Sequence, residues 1–311
     1  MKCRVCRAPA VVDVRRHNAG FCRDCFVEHC RSQVRRAIAD HRMIGEGERV
    51  LVAVSGGKDS LALWDLLLDL GYAADGLYVG LGIEGYSEPS REFARGFAGS
   101  KGAELVEVDL PGVFGYDVRR GALADHRVPC SACGLSKRHI FDRAALEAGY
   151  DVVATGHNLD DEAAVLLGNV LRWDLAYMAR QRPVLPGGDG FPRKVKPLVR
   201  LAERETAAYC ILRAIDYQVE ECPMAVGNRH LGYKEALGAI EELSPGVKAA
   251  FYTGFVDKVL PLLAGKTPGK GTTLRPCKSC GAPTTSERCA FCRLVERAGG
   301  NPRQRIPVSA R

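Results

Sequence analysis

Apolar positions recur along this chain in two rhythms. Val50 to Val54 is an unbroken aliphatic run that stops at Gly56 and Gly57, and from Leu61 to Leu67 apolar residues return with helical spacing. A short apolar run bounded by glycines predicts a buried strand, a tight turn and a helix start. The pattern then repeats. Strands are predicted at 76–83, 104–108 and 151–156, and helices at 90–102, 136–149 and 159–171. Strands alternating with helices predict an α/β fold, a doubly wound parallel sheet. Such sheets collect ligands at the carboxyl ends of strands, near the point where strand order reverses. Those ends are Ser55, Val79 with Gly80, and the stretch Thr155-Gly156-His157-Asn158.

Four regions follow from the remaining pattern. Residues 1–42 form an N-terminal cysteine module and a basic amphipathic helix, with Val34 and Ile38 against Arg31, Arg35, Arg36 and Arg42. Residues 43–222 form the main domain, in which the proline- and glycine-rich stretch 183–192 is a mobile loop or a turn-rich hairpin. Residues 223–269 read as a helical extension, with Leu237, Ile240, Leu243, Phe251, Phe255, Val259 and Leu262 as its apolar positions, ending in a Pro/Gly linker at Lys266 to Lys270. Residues 270–311 form a second cysteine module, and its tail after Gly299 is expected to be frayed or ordered by a partner.

Composition adds the compartment and the metal chemistry. An apolar content of 46% over 311 residues supports a real core. No apolar run approaches the ~20 residues of a membrane span. The opening Met-Lys-Cys-Arg-Val-Cys has no signal-peptide core, so a cytoplasmic protein with no membrane partner is expected. Thiols there stay reduced, and thirteen cysteines point to metal or redox chemistry rather than disulfides. Cys3, Cys6, Cys22 and Cys25 have the spacing of a four-cysteine zinc site, with His17 and His29 as possible substitutes. Cys277, Cys280, Cys289 and Cys292 form a second such set. The expectation is two Zn²⁺, each supplying folding energy to a segment with almost no core of its own. Cys210 falls in an apolar rhythm and reads as core packing, while Cys30 carries no sharper signal.

Charge is divided unevenly. Residues 1–42 carry +6 and residues 265–311 carry +8, so the middle of the chain carries −7 against a total of +7. Basic modules flanking an acidic core suggest a polyanion gripped by the modules.

The chemistry concentrates in three motifs. Ser55-Gly56-Gly57-Lys58-Asp59-Ser60 turns from a strand into a helix, so converging N–H groups and the helix N-terminus favour phosphate. It is not a Walker loop, because the first glycine of that motif would fall at Val52. Thr155 to Ala163 opens a second helix after a strand. Asp160 and Asp161 there either cap the helix or help hold Mg²⁺ against a triphosphate. Cys130, Cys133 and Cys222 are three cysteines without a fourth, and the spacing leaves three readings open. They bind three irons of a [4Fe–4S] cluster, act as persulfide and resolving thiols, or make a zinc site with His126 or Cys210.

The first motif resembles the PP-loop of ATP pyrophosphatases, the adenine nucleotide alpha-hydrolase-like fold. The full set is more specific: the SGGKDS turn, the PCSACG pair, TGHNLDDEA, the later Glu221-Cys222-Pro223 and a cysteine knuckle at each end. Together they resemble the TtuA/TtcA family of tRNA thiolation enzymes over essentially the whole chain, and the two four-cysteine modules match its TtuA branch best. That branch makes the 2-thio group of T-loop ribothymidine from 5-methyluridine at position 54. The resemblance implies a homodimer, ATP with Mg²⁺, an oxygen-sensitive [4Fe–4S] cluster, and a sulfur-carrier protein bearing a C-terminal thiocarboxylate. It assigns cluster ligation to Cys130, Cys133 and Cys222. It assigns nucleotide contacts to Ala53, Ser55, Asp59, Val79, Lys137, Gly156 and Asp161, with Gly56, Gly57, Lys58, Ser60 and His157 completing the two turns. Lys58, Asp59, Lys137, Asp161 and the three cysteines are the expected catalytic group. The rival readings are a 2-thiocytidine or persulfide thiolase, a PP-loop amide ligase, and a non-catalytic RNA-binding module.

Overall fold

The computed structural model describes residues 1–225, 229–263 and 273–308. The chain enters through a hairpin of β1 (Val12–Val14) and β2 (Ala19–Phe21), then helix α1 (Arg23–His41). Next come β3 (Arg49–Val54), α2 (Lys58–Asp69), β4 (Ala73–Gly80), α3 (Ser87–Lys101) and β5 (Leu105–Asp109). Two short helices, α4 (Leu110–Phe114) and α5 (Val118–Ala124), lead into the long α6 (Pro129–Glu147). Strand β6 (Val152–Thr155) and helix α7 (Leu159–Leu171) repeat the strand–turn–helix pattern. A short α8 (Leu175–Met178) precedes the hairpin of β7 (Val184–Leu185) and β8 (Arg193–Val195), followed by α9 (Glu203–Leu212).

The sheet order is β5-β4-β3-β6-β8-β7, parallel except for the edge strand β7. This is the expected doubly wound sheet. Strand order reverses between β3 and β6, whose register pairs Ala53 with Thr155 and so brings their carboxyl ends together. The inner strands are apolar on both faces because both are covered. Alternation divides β3 between two cores. Val50, Val52 and Val54 face one, and Leu51 faces the other.

Each terminal module closes one of these cores. Phe21, Phe26 and Val34 of the N-terminal segment join Trp64, Leu66 and Tyr209 on the first side. On the second side, α12 (Ala290–Arg297) buries Phe291, Leu294 and Val295 with Phe114, Tyr116 and Ile140. Ahead of it, α10 (Arg229–Leu243), α11 (Val247–Gly254) and the short strands β9 (Arg275–Pro276) and β10 (Pro283–Thr284) complete the chain. The modules have no separate core of their own and instead complete the main one, so packing against the sheet layer adds to whatever a metal supplies. At each one, a Cys-x2-Cys pair sits at a helix start whose apolar face reaches the sheet layer.

Three expectations are corrected. The helix expected at 136–149 begins seven residues earlier and so takes in Cys130 and Cys133, because Pro129 sits at the first helical position, where its missing N–H costs nothing. The tail is not frayed through Val308: Asn301 N donates to Phe114 O (2.9 Å) and Ile306 is buried. In the extension, Leu237 packs on Ala163 and Ala164, but Ile240 and Leu243 lie exposed. The helix breaks after Leu243, and Gly246 adopts φ +99 before α11. The 183–192 stretch is the hairpin rather than the loop. The linker expected at 266–270 lies outside the described residues. No helix among the described residues is long and apolar enough to cross a membrane.

Candidate active site

The turn after β3 is built from its own side chains. Ser55 N donates to Ser60 Oγ (3.1 Å), and Ser60 Oγ donates to Gly57 O (2.9 Å). Gly56 has φ +76, and a Cβ there would lie 2.2 Å from Ser90 O, so only glycine fits. Gly57 caps α2 without a side-chain bond, which leaves the helix N-terminal amides for a ligand. Ala53 and Val79 line the same edge on neighbouring strands, with Val79 buried.

The second turn meets the first at backbone distance. A Cβ on Gly156 would lie 3.0 Å from Asp59 C and from Ser60 N. Asn158 caps α7 and shares a capping box with Asp161: Asp161 N donates to Asn158 Oδ1 (3.1 Å) and Asn158 N donates to Asp161 Oδ2 (3.0 Å). So one carboxylate oxygen of Asp161 serves the helix, and the other faces the site. Asn158 Nδ2 also donates to Asp59 Oδ1 (3.1 Å), which accepts from Thr206 Oγ1 (2.5 Å). His157 is exposed at the rim, its Nδ1 2.8 Å from Thr155 Oγ1.

Ammonium and carboxylate groups alternate across the mouth. Lys58 Nζ donates to Glu203 Oε1 (2.7 Å) and Asp59 Oδ2 (3.1 Å). Lys234 Nζ lies 2.6 Å from Asp161 Oδ1 and 3.1 Å from Glu203 Oε2. Burial opposes the Lys58 charge, but Asp59 and Glu203 outweigh it and hold its pKa above the ordinary value. Burial likewise works against the Glu203 carboxylate, and Lys58 and Lys234 outweigh it and hold its pKa below the usual range. Glu203, Thr206 and Lys234 escaped the sequence reading. They come from α9 and α10, where polar residues at helical spacing look like solvated surface. The only local signal is Glu203-Arg204-Glu205-Thr206, which opens a helix right after an apolar turn.

Cys130, Cys133 and Lys137 are spaced i, i+3, i+7 along α6 and so share one helical face. Cys130 Sγ is 3.5 Å from Met224 O, just past Cys222. Burial, then the neighbouring Cys133 and Cys222, raises the Cys130 thiol pKa. Lys137 has no hydrogen-bond or ion-pair partner among the described residues.

The donor sets differ in kind. Cys3, Cys6, Cys22 and Cys25 bring their sulfurs within 4.8 Å of one another, as do Cys277, Cys280, Cys289 and Cys292. Individual separations are 3.5 Å for Cys6 and Cys22, 3.7 Å for Cys280 and Cys289, and 3.8 Å for Cys277 and Cys292. Four thiolates at the Zn–S distance of about 2.3 Å form a tetrahedron with edges of about 3.8 Å. Both sets fit a single tetrahedral ion. Among the described residues, Cys130, Cys133 and Cys222 form no group that close, and neither His126 nor Cys210 joins them. Cys210 is buried under the phosphate turn, donating to Lys58 O (3.4 Å), and His126 is exposed. The zinc reading of this trio therefore finds no fourth ligand. A four-iron cluster holds each thiolate on a separate iron, farther apart than thiolates sharing one ion, so three thiols not gathered around one ion are compatible with it. His17 and His29 cluster with Glu205 rather than with the cysteines, and Arg16 already occupies that carboxylate at 2.6 Å.

The reversal point of a parallel sheet, crossed by an SGGKDS turn and a second helix-opening turn that touch, defines a PP-loop nucleotide-binding protein. A family model described as the 2-thiouridine synthetase TtuA N-terminal LIM domain matches residues 2–27. The chain is 50% identical to a tRNA-5-methyluridine(54) 2-sulfurtransferase of Thermus thermophilus, over 94% of this chain and 91% of that protein. It is 40% identical to the protein of the same name from Pyrococcus horikoshii, over 94% and 93%. Among solved structures, the U34-tRNA thiolase NcsA of Methanococcus maripaludis with its [4Fe-4S] cluster superposes with a TM-score of 0.79. It is 25% identical, and the match covers 95% of this chain and 96% of that one. The chain belongs to the tRNA-5-methyluridine(54) 2-sulfurtransferase family.

Proposed function

We propose that this protein uses ATP to adenylate O2 of a tRNA uridine, the T-loop 5-methyluridine at position 54, and replaces that oxygen with sulfur. The observation that carries the reading is the contact between the two turns. Asp59 of the SGGKDS turn accepts from Asn158 of the second turn and from Thr206, so the two motifs form one site. Uracil O2 is a poor leaving group. Attack of O2 on the α-phosphate releases pyrophosphate and turns the oxygen into part of AMP, which leaves when sulfur adds at C2. Lys58, the amides of the Gly56-Gly57 turn and the α2 N-terminus neutralise charge on the departing pyrophosphate. Ala53, Val79 and Gly156 line the nucleotide's edge, with His157 at its rim. Asp161 keeps one oxygen turned to the mouth for Mg²⁺.

Lys137 shares a helix face with Cys130 and Cys133, and its ammonium would contact the nucleotide. Cys130, Cys133 and Cys222 would hold the [4Fe–4S] cluster, which supplies the centre where sulfur is delivered. Each four-cysteine set takes one Zn²⁺. The tRNA is gripped by backbone and shape through the basic modules, and the target base is presented out of its stack. A sulfur-carrier protein with a C-terminal thiocarboxylate brings the sulfur to a homodimer in the cytoplasm. None of the thirteen cysteines is joined in a disulfide, which suits a reducing compartment.

Asp59→Ala and Lys58→Ala should abolish ATP-dependent pyrophosphate release and thiolation while leaving the circular dichroism spectrum unchanged. Near-normal 2-thiouridine in tRNA digests from either variant would overturn the assignment.

A further inference from the structure

We propose that Lys234, carried in by the helical extension, is a phosphate-binding residue of the nucleotide site, and that Glu203 positions it there together with Lys58. The inference rests on the nucleotide reading above and adds two residues to it. Glu203 is held between two ammonium groups, Lys58 at 2.7 Å and Lys234 at 3.1 Å, one on each of its oxygens. Lys58 belongs to the phosphate turn. The same carboxylate therefore sets Lys234 beside that turn, on the side of Asp161.

The charges show why this is more than a tie between helices. Asp59, Asp161 and Glu203 outnumber Lys58 and Lys234, so the ligand-free mouth is net negative and unsuited to a polyphosphate. A triphosphate with its divalent cation resolves this by exchange. The cation takes up carboxylates, and the released ammonium groups turn to phosphate oxygens. Side-chain exposures of 22–25% for Lys58, Asp59, Asp161 and Lys234 put these groups at the rim, where such an exchange can occur. Helix α10 does not need the ion pair to stay in place. Leu237, three residues on, is buried against Ala163 and Ala164, and Tyr233 packs against Gly168. The backbone is fixed by apolar contacts, and the lysine is left to swing. The neighbouring Lys248 is placed differently. It pairs with Asp160 at 2.5 Å with only 12% of its side chain exposed, and the other oxygen of Asp160 accepts from Glu203 N (2.8 Å). Lys248 supports the start of α9 and provides a control.

Equilibrium binding of ATP, pyrophosphate and AMP to the full chain with Mg²⁺ tests the assignment. Lys234→Met should weaken ATP and pyrophosphate by at least about tenfold, the weight of one charge-assisted hydrogen bond. AMP should change less than about twofold, because the contact is to the phosphates that leave. Lys234→Arg should restore most of the loss, and Lys248→Met should leave the ratio of ATP to AMP affinity unchanged. Equal weakening of AMP and ATP would reduce Lys234 to a helix tether, and unchanged ATP binding would remove it from the site. Both outcomes overturn this inference while leaving the PP-loop reading intact. A native chain that binds none of the three ligands overturns the nucleotide reading itself.

Discussion

Replacing Phe291 by alanine separates the C-terminal module from the helix that carries Cys130 and Cys133. Phe291 is 1% exposed. It stacks on His139 of α6 at 4.0 Å between centroids and meets Phe114 edge-on at 5.2 Å. Tyr116, also against Phe291, bonds Ser136 of α6 at 2.8 Å. The truncation loses about 1.5–3 kcal/mol of transfer energy, and the cavity brings the total to about 3–5 kcal/mol. The two ring contacts argue for the upper half of that range. The assay has two readings: urea unfolding of the zinc-loaded protein, and iron bound after anaerobic reconstitution. The midpoint should fall with an unchanged slope, and iron uptake by the Cys130–Cys133–Cys222 site should fall with it, because α6 loses its brace. A full loss of stability with native iron content would refute the coupling. A cost below about 1 kcal/mol would refute the packing argument.

Two further outcomes follow from other parts of the molecule. Asp65 is 1% exposed and accepts from Tyr209 Oη (2.7 Å) and Arg213 Nε (2.9 Å) beside Lys101 Nζ (2.5 Å). Burial raises its pKa, but Arg213, Lys101 and Tyr209 outweigh it and hold it below the ordinary value. Such a group stabilises fully above its unfolded pKa of about 3.9 and loses that contribution as pH falls through the lower folded value. Asp65→Asn should therefore cost about 2–3 kcal/mol at pH 7, and the gap to the native protein should close only below about pH 4 in denaturant titrations; a constant gap would mean the cost is steric. Binding of tRNA should weaken steeply with salt, and Arg303→Ala with Arg305→Ala should flatten the log–log slope by roughly 0.7–0.9 for each phosphate that is no longer neutralised. An unchanged slope would make those exposed arginines solvated surface.

The sheet was legible because three of its strands, β3, β4 and β6, are buried on both faces and read as apolar runs between glycine turns, and the edge strand β5 still shows Leu105, Val106 and Val108. Strand β8 was not, since Arg193-Lys194-Val195 is three residues long and mostly polar, and its place beside β6 is set by the sheet rather than by its own composition. Both ligand turns were legible because their chemistry is contiguous in the chain. The mouth of the site was not. Glu203 and Lys234 are separated from the phosphate turn by about half the chain, and their meeting depends on how α9 and α10 pack. The shared cores of the terminal modules were hidden for the same reason. Phe26 follows Cys25 and Phe291 precedes Cys292, and nothing local says that their rings enter the main core.

Sulfur is expected to reach an ATP-activated uridine through a cluster on Cys130, Cys133 and Cys222. The most direct test is multiple-turnover thiolation of tRNA, read as 2-thiouridine by nucleoside mass spectrometry. It compares anaerobically reconstituted protein with rigorously iron-free protein, each with ATP and supplied in turn with sulfide and with a persulfide sulfur donor. Thiolation is expected from the reconstituted protein only, and exposure to air should abolish it. Cys130→Ser, Cys133→Ser and Cys222→Ser should each lose it too, while all three still bind ATP at the separate phosphate turn. Full turnover by iron-free protein, with a trapped persulfide on one of the three cysteines, would contradict the claim.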